Sequence, residues 1–480
     1  MTMREAMSEP GWSMFLAPRL ALPLGVLLGG VLLHSMNVLV TATLLPSIVA
    51  DIGGAALMSW PTTAFVASSI IAASGAGVVS GMLGRRRAFF AGAMIYGGGA
   101  VLCALAPSIG VVIVGRFVQG IGGGLLSALA YVLVRNLFPE TLWSRVFGLL
   151  AGVWSVSIFI GPLVGGVFAS YAFWRGAFLA VAAMGGLIGV GALYILRGAA
   201  VEDDAASRRF PVVRLALICA AIALLSQASV ARGPAEKIGL LVAALGLFGV
   251  MLGIDRRAVA PLLPSDAFSL WSPTGTGLWM VLLLAVAYTP PAIYLPLFLQ
   301  RLHALDPLAA GYMVAVTSGA WTAAALSVAA LGEEWQARLI VAGPVAMGAG
   351  LAGVAMLTAP GPVAALILPI ALIGAGIGGS WAFIVQRVMA GAKSGEENIA
   401  AGSVATLQQA GTAFGAALAG LVANASGLAD GLDPGAVSRA SFWVPMAFVA
   451  VPLAAVVISL RLNAISREPA QSPLSGVDPA

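Results

Sequence analysis

Apolar runs of membrane-spanning length recur along almost the whole chain, separated by short polar connectors. A helix needs roughly 20 mostly apolar residues to cross the hydrocarbon core of a bilayer, and the pattern contains fourteen such runs. The predicted spans are 20–47, 57–82, 88–106, 109–134, 146–170, 175–196, 213–230, 237–254, 274–300, 307–331, 338–358, 362–387, 399–424 and 441–460. The pattern therefore predicts an all-α integral membrane protein.

The distribution of lysine and arginine tests this helix count, because the cytoplasmic loops of membrane proteins are enriched in both. With both termini in the cytoplasm, eighteen of the 24 basic residues lie in predicted cytoplasmic segments and five in external ones, which leaves Arg116 inside a span. If one helix had been missed, every later connector would change sides, and the basic residues would no longer concentrate in the cytoplasmic segments. The chain is thus predicted to be a multi-pass plasma-membrane protein, in the inner membrane if the cell is bacterial.

The amino-acid composition excludes several classes of function. Sixty per cent of the 480 residues are hydrophobic and 9% are charged, against about 25% charged in a soluble domain. Cys103 and Cys219 both lie in apolar runs, so neither a disulfide framework nor a thiolate metal site is predicted. The net charge of +5 reflects topology-setting arginines, so we expect no nucleic-acid partner and no cofactor.

The two ends of the chain are weak copies of each other, as expected of a transporter built from repeated bundles. IGPLVGGV (160–167) has a glycine-rich counterpart in TAFGAALAGL (412–421). The predicted organisation is a cytoplasmic tail 1–19, a six-helix bundle 20–196, a connector 197–214, two inserted helices 215–256, a second six-helix bundle 274–460 and a tail 461–480.

Three glycine-rich motifs stand in the first half. They are GVVSGMLGRRR (77–87), GRFVQGIGGG (115–124) and GPLVGG (161–166). Three arginines at a tight turn bind anionic headgroups or simply set topology. Glycines around a proline let a helix bend or slide, or only pack closely.

In order and spacing these motifs resemble the signature motifs of the major facilitator superfamily. Three further segments resemble its fourteen-helix drug:proton antiporter branch: LLPSIVADIG (44–53), APLLPSDAFS (260–269) and LPLFLQRLHALDPLAAGYM (295–313). The resemblance implies the major facilitator fold with two inserted helices, efflux of small molecules, and a monomer. The residues expected to act in the conformational change are Gly77, Gly81, Gly84, Arg85, Arg86, Arg87, Gly161, Pro162, Gly165 and Gly166.

The sequence departs from the family pattern at two positions where the family usually has an aspartate. The usual aspartate nine residues before the proline of span one is Asn37 here, and the usual aspartate of the loop motif is Gly81. The first change puts the usual proton site in doubt, and the second does the same for the charge contact at the cytoplasmic gate. Every acidic residue lies in a connector, a helix end or a tail.

His34 is the one side chain within the spans whose unperturbed pKa, about 6.5, allows it to titrate near neutrality. His34, Asn37 and Thr41 share one helix face. We expect this stripe to line a central cavity with His34 as the proton carrier, or His34 to be a neutral histidine hydrogen-bonded between helices.

Arg116 is expensive within a membrane and usually lines a cavity or finds a partner, and Gln119 lies on the same helix face. The resemblance implies a role for Arg116 in proton handling. The alternative is that Arg116 is structural and donates its hydrogen bonds to backbone carbonyl groups.

Substrate is expected to contact polar and aromatic residues from both halves. The candidates are Asn37, Thr41, Gln119, Tyr288, Tyr294, Trp381, Gln386 and Gln408. Aromatic residues in spans also serve as packing or interface anchors. An enzyme is disfavoured because His34 and His303 are the only histidines and no carboxylate lies mid-span. The prediction is an exporter of hydrophobic or amphipathic compounds, with an uncoupled facilitator or exchanger for a lipid-like or secondary-metabolite solute as the alternative.

Overall fold

The computed structural model describes residues 17–171, 173–196, 211–259, 261–329 and 331–467. Within these segments the chain forms fifteen α-helices. Their bounds are α1 Pro18–Ile52, α2 Trp60–Leu83, α3 Arg85–Ala104, α4 Ile109–Leu137, α5 Glu140–Ser170, α6 Trp174–Ile195, α7 Val212–Val230, α8 Pro234–Asp255, α9 Pro273–Leu302, α10 Pro307–Val328, α11 Glu333–Leu357, α12 Ile367–Ala390, α13 Glu397–Ala423, α14 Pro434–Ala447 and α15 Ala450–Arg467. Most of the predicted tails and connector lies outside the described residues, at 1–16, 197–210 and 468–480, whereas 461–467 of the predicted C-terminal tail belongs to α15.

Thirteen segments of the described chain are helical, long enough and apolar enough to cross a membrane, with α14 and α15 together forming one of them. The helix α10 is not among the thirteen, although its 22 residues carry no charge, because glycine, serine and threonine dilute its apolar residues. It packs against α5, α9 and α12. Because these helices cover part of its surface, less of it has to be apolar to face lipid. Counted with α10, whose 22 residues are long enough to span a bilayer, the described chain has as many helical segments of that length as the fourteen predicted spans.

The beginnings of three helices follow directly from the sequence. Ser272, Asp306 and Asp433 each precede a proline, and each side chain accepts a hydrogen bond from a backbone N–H of the first turn, at 2.9–3.0 Å. Proline fits the first helical position because the N–H it lacks has no partner there, and the serine or aspartate caps a remaining N–H. These residues set the starts of α9, α10 and α14.

The described helices enclose two large apolar cores and one small cluster, Leu225, Ala244 and Ala417, where α7, α8 and α13 meet. Helices α1–α6 surround one large core, together with side chains of α7 and α8, and α9–α15 surround the other, together with the end of α1. We call these groups of helices the N-terminal bundle (α1–α6) and the C-terminal bundle (α9–α15). The predicted domain boundaries stay a prediction.

The inserted pair, α7 and α8, lies along the seam between the bundles. The helix α7 contacts both α2 and α13, and Phe248 of α8 meets Phe414 of α13 edge-on at 5.6 Å. At one end of the pair, Arg214 forms an ion pair with the buried Asp255. Asp255 also accepts hydrogen bonds from the backbone N–H groups of Leu262 and Leu263, which ties the inserted pair to the connector before α9.

Close backbone contacts repeat between the bundles. In the N-terminal bundle α4 lies between α2 and α3, and a Cβ added at Gly120 or Gly124 would overlap backbone of α2. In the C-terminal bundle α12 lies between α10 and α11, and a Cβ at Gly374 or Gly378 would overlap backbone of α10. Small residues four apart let two membrane helices approach closely. The repeat predicted from α5 and α13 is thus matched by a second one in α4 and α12.

Candidate functional site

His34 lies in the middle of α1, enclosed by aromatic side chains. Only 4% of it is exposed. Its ring stacks on Phe65 of α2, with centroids 5.4 Å apart, and meets the ring of Trp154 of α5 edge-on at 6.1 Å. The Nδ1 atom has no hydrogen-bond partner among the described residues, and a Cβ at Gly123 would stand 2.9 Å from it.

Asn37 and Thr41 continue this face of α1, as predicted, but both are enclosed. The hydroxyl of Thr41 donates to Asn37 Oδ1 at 3.3 Å. Asn37 Nδ2 has no partner in the described part of the chain, and Asn37 is 0% exposed. The stripe is therefore buried, with His34 packed against α2, α4 and α5.

Arg116 is buried on α4, with 1% exposed. Its Nη1 donates to Gln119 Oε1 at 2.7 Å, and its Nε donates to the carbonyl oxygen of Pro61 at 3.4 Å. The guanidinium carbon lies 4.3 Å from the ring centre of Phe65. Phe65 thus contacts both His34 and Arg116, which links the two predicted proton-handling residues. Nothing in the sequence distinguishes Phe65 from an ordinary apolar core residue.

The contacts of Arg116 within the described chain are to neutral groups. The ion pairs found there lie at helix ends, between Asp51 and Arg175, between Asp255 and Arg214, and between Glu334 and Arg338. The described residues also contain no group of three His, Cys, Asp or Glu side chains that could hold a metal ion.

In the C-terminal bundle an aromatic group joins two of the predicted substrate residues. The rings of Tyr288 and Trp321 meet edge-on at 5.7 Å, and those of Trp321 and Trp381 lie 5.8 Å apart. The hydroxyl of Tyr288 is 3.2 Å from that of Ser318. Trp321 was missed by the sequence reasoning, because no spacing rule connects α10 with α9 and α12.

The other predicted residues of this bundle do not join the aromatic group. Tyr294 is buried in the C-terminal core and stacks on Phe298 at 6.2 Å. Gln408 is half-buried on α13, where its backbone carbonyl accepts a hydrogen bond from Thr412. Gln386 is exposed near the end of α12.

The arginine-rich motif forms the tight turn between α2 and α3. Gly84 separates the helices with a φ of 74°, a left-handed value that glycine adopts without strain. Arg85, Arg86 and Arg87 then form the first turn of α3. Gly77 and Gly81 are exposed on α2, and a Cβ at Gly77 would have no atom within 4 Å.

The motif of α5 packs between the bundles. On one face, a Cβ at Gly161 or Gly165 would press on the backbone of α1. On another face, a Cβ at Gly166 would press on Leu308 of α10, and Gly311 of α10 lies against Pro162. This part of α5 therefore contacts both bundles with little side-chain bulk.

Direct contacts between the bundles gather where α1 ends and α2 begins. The hydroxyl of Ser170 donates to Asp306 at 2.6 Å, and Gly420 packs against Ser59. Asn424, just after α13, donates to the carbonyl oxygen of Ala56 at 2.8 Å. We call this the closed end of the molecule and define it by these residues.

The sequence matches a model of a known protein family, and the match agrees with this arrangement of two bundles, two inserted helices and glycine-lined contacts. Residues 27–416 match the family model described as Major Facilitator Superfamily. The chain belongs to the major facilitator superfamily. Members of this family are transporters of small molecules in the lipid bilayer and are not enzymes, so this facilitator is a multi-pass membrane transporter.

Transporters of several bacteria are similar to this chain in sequence or in fold. This facilitator is 34% identical over 473 residues to a "Probable multidrug-efflux transporter" of Mycobacterium tuberculosis, over 96% of this chain and 98% of that protein. It is 24% identical to the "Tetracenomycin C resistance and export protein" of Streptomyces glaucescens, over 82% of this chain and 74% of that one. Among solved structures, the xylose transporter XylE of E. coli has the same fold, with a TM-score of 0.58 and 16% identity over 95% of this chain and all of that one.

Proposed function

We propose that this facilitator exports small hydrophobic or amphipathic compounds by alternating access. The observation that carries the proposal is the set of contacts between the two bundles at one end, through Ser170, Ser59 and Asn424. Rocking of two bundles about such contacts would open a site between them to one side of the membrane and then to the other. The relatives named for multidrug efflux and for tetracenomycin C export support export over uptake.

The site lies between the aromatic group of the C-terminal bundle and the polar stripe of α1. Tyr288, Trp321 and Trp381 supply flat apolar surface with one hydroxyl, as an amphipathic solute requires. Because His34 is enclosed, it acts on a solute through movement of Trp154, which is 47% exposed and meets its ring edge-on. The transporter works as a monomer in the plasma membrane, with both termini cytoplasmic.

Coupling to protons is assigned to His34. It has an unpartnered Nδ1, and Phe65 joins it to the cation of Arg116. A proton arriving at His34 would place a second positive charge beside Phe65 and push the two side chains apart. The alternative is an uncoupled facilitator or exchanger for a lipid-like or secondary-metabolite solute, which the lack of a carboxylate at position 37 favours.

Efflux of a lipophilic dye from cells, with and without an uncoupler, tests the proposal. Coupled export predicts that the uncoupler abolishes efflux and that His34→Gln removes its dependence on the pH gradient. His303→Gln is the matched control, because His303 lies at the end of α9 and bonds to the carbonyl oxygen of Thr358. Efflux by the wild type that survives the uncoupler would favour the uncoupled alternative, and no efflux above empty cells for a panel of dyes would refute export.

A further inference from the structure

We propose that the transport site selects against lipophilic cations and prefers anionic or neutral solutes. This inference rests on the proposed function and names its substrate class. It follows from the charge of the buried groups around the polar stripe of α1, taken with the hydrogen-bonding atoms that have no partner among the described residues.

Arg116 supplies a fixed positive charge. It is 1% exposed and its described contacts are the side-chain oxygen of Gln119, the carbonyl oxygen of Pro61 and the face of Phe65. None of these groups carries a negative charge. A charge enclosed in a medium of low dielectric is weakly screened, so its field reaches neighbouring sites.

The helices α2, α3 and α4 contain no acidic residue that could offset this charge. On α1 the acidic residue is Asp51, fourteen residues beyond Asn37, which corresponds to about 21 Å along a helix. Asp51 is already paired with Arg175. On α8, Asp255 is held by Arg214 and two backbone N–H groups. A solute cation near Arg116 would therefore find no carboxylate on α2, α3 or α4 to offset the repulsion.

The side-chain amide nitrogens without hydrogen-bond partners also favour an anionic or neutral solute. Asn37 Nδ2 and Gln119 Nε2 are both donors without a partner among the described residues, whereas Asn37 Oδ1 and Gln119 Oε1 already accept hydrogen bonds. His34 adds either no charge or a second positive one. The N-terminal side of the path thus offers donors and positive charge, which suit a carbonyl, phenolate or other anionic oxygen.

Tetraphenylborate and tetraphenylphosphonium test the inference, because they share shape and size and differ in the sign of the charge. Binding of each to the purified protein is measured by competition with a neutral dye, and the ratio of the two affinities is compared between variants. At about 10 Å and an effective dielectric constant near 20, a unit charge changes each affinity more than tenfold, in opposite directions for the two ions.

Asn37→Asp places a carboxylate on the polar stripe of α1 without removing a hydrogen bond, because the amide nitrogen it replaces has no partner among the described residues. We expect its borate-to-phosphonium ratio to fall at least about tenfold. Arg116→Gln should lower the ratio as well, and Arg338→Gln, an exposed arginine at the start of α11, should not.

Thermal unfolding in detergent serves as the check on folding, since each variant must keep a cooperative transition near that of the wild type. A ratio that stays the same in Asn37→Asp, or wild-type protein that binds phosphonium as tightly as borate, would overturn the inference while leaving export intact. Failure of the wild type to bind both ions and every neutral dye would overturn the proposed function, and the preference with it.

Discussion

Asn424 donates hydrogen bonds from one amide nitrogen to two carbonyl oxygens, those of Ala56 and Ser229, each at 2.8 Å. Ala56 lies in the connector between α1 and α2, and Ser229 in the last turn of α7. Carbonyls in the last turn of a helix have no partner within it. A single side chain thus joins the N-terminal bundle, the inserted pair and the C-terminal bundle at the closed end.

Asn424→Asp should loosen the closed end. The substitution keeps the shape but replaces a double donor with a carboxylate that repels both carbonyl oxygens. Each buried hydrogen bond lost costs about 1–3 kcal/mol, enough to shift the equilibrium between closed and open ends about tenfold or more. The measurement is the rate at which a thiol reagent labels Ser59→Cys, in a background where Cys103 and Cys219 are replaced by alanine.

Asn463→Asp is the matched control for this prediction. Asn463 also donates to a backbone carbonyl, that of Ala337, at 2.7 Å, but its bond joins α15 and α11 within one bundle. It should lower stability without changing the labelling rate at position 59. Equal labelling rates for the two aspartate variants would show that Asn424 does not hold the closed end.

Much of the fold follows from local signals in the sequence. Apolar runs set the helices, and Ser272, Asp306 and Asp433 mark three of their starts because capping depends on neighbouring residues alone. The spacing of His34, Asn37 and Thr41 places them on one face of α1 because a helix repeats every 3.6 residues. Such features need no knowledge of which helices meet.

The contacts of the candidate site depend on which helices meet, and no local pattern reveals them. Phe65 and Trp321 look like ordinary apolar residues of membrane spans. Phe65 contacts His34 and Arg116 only because α1, α2 and α4 converge, and Trp321 joins Tyr288 to Trp381 only because α10 packs on α9 and α12. Asn424 likewise reads as one more polar residue at the end of a span.

Gly374→Ala should destabilise the protein, whereas Gly379→Ala on the same helix should not. A Cβ at Gly374 would overlap the carbonyl oxygen of Thr317, and one at Gly379 would have no atom within 4 Å. Overpacking against backbone costs about 1–3 kcal/mol or more, and alanine is favoured over glycine within a helix by about 1 kcal/mol. Thermal unfolding in detergent should give a lower midpoint for the first variant and an equal or higher one for the second. Equal midpoints would mean that α10 and α12 are less closely packed than described.

Asp255→Asn should lower the thermal midpoint by several degrees. The side chain of Asp255 is 3% exposed and pairs with that of Arg214, and breaking a buried ion pair costs about 3–5 kcal/mol. The asparagine also turns an NH₂ group toward one of the N–H groups of Leu262 and Leu263. Glu334→Gln is the control, because its ion pair with Arg338 is exposed on both sides and such pairs contribute about 0–1 kcal/mol. A control that destabilises as much as Asp255→Asn would contradict the structural role of the buried pair.

Trp321→Leu should weaken the binding of planar aromatic compounds. Trp321 contacts both Tyr288 and Trp381, so its loss removes one aromatic surface and the support of two others. An aromatic pair contributes about 0.5–1.5 kcal/mol beyond the area it buries, which predicts affinity two- to tenfold lower for an aromatic dye and little change for an aliphatic solute. Trp443→Leu is the matched control, since Trp443 is exposed on α14 and packs against Phe442. Fluorescence titration of the purified variants measures both affinities, and an equal loss for aromatic and aliphatic solutes would mean that Trp321 supports the bundle rather than the solute.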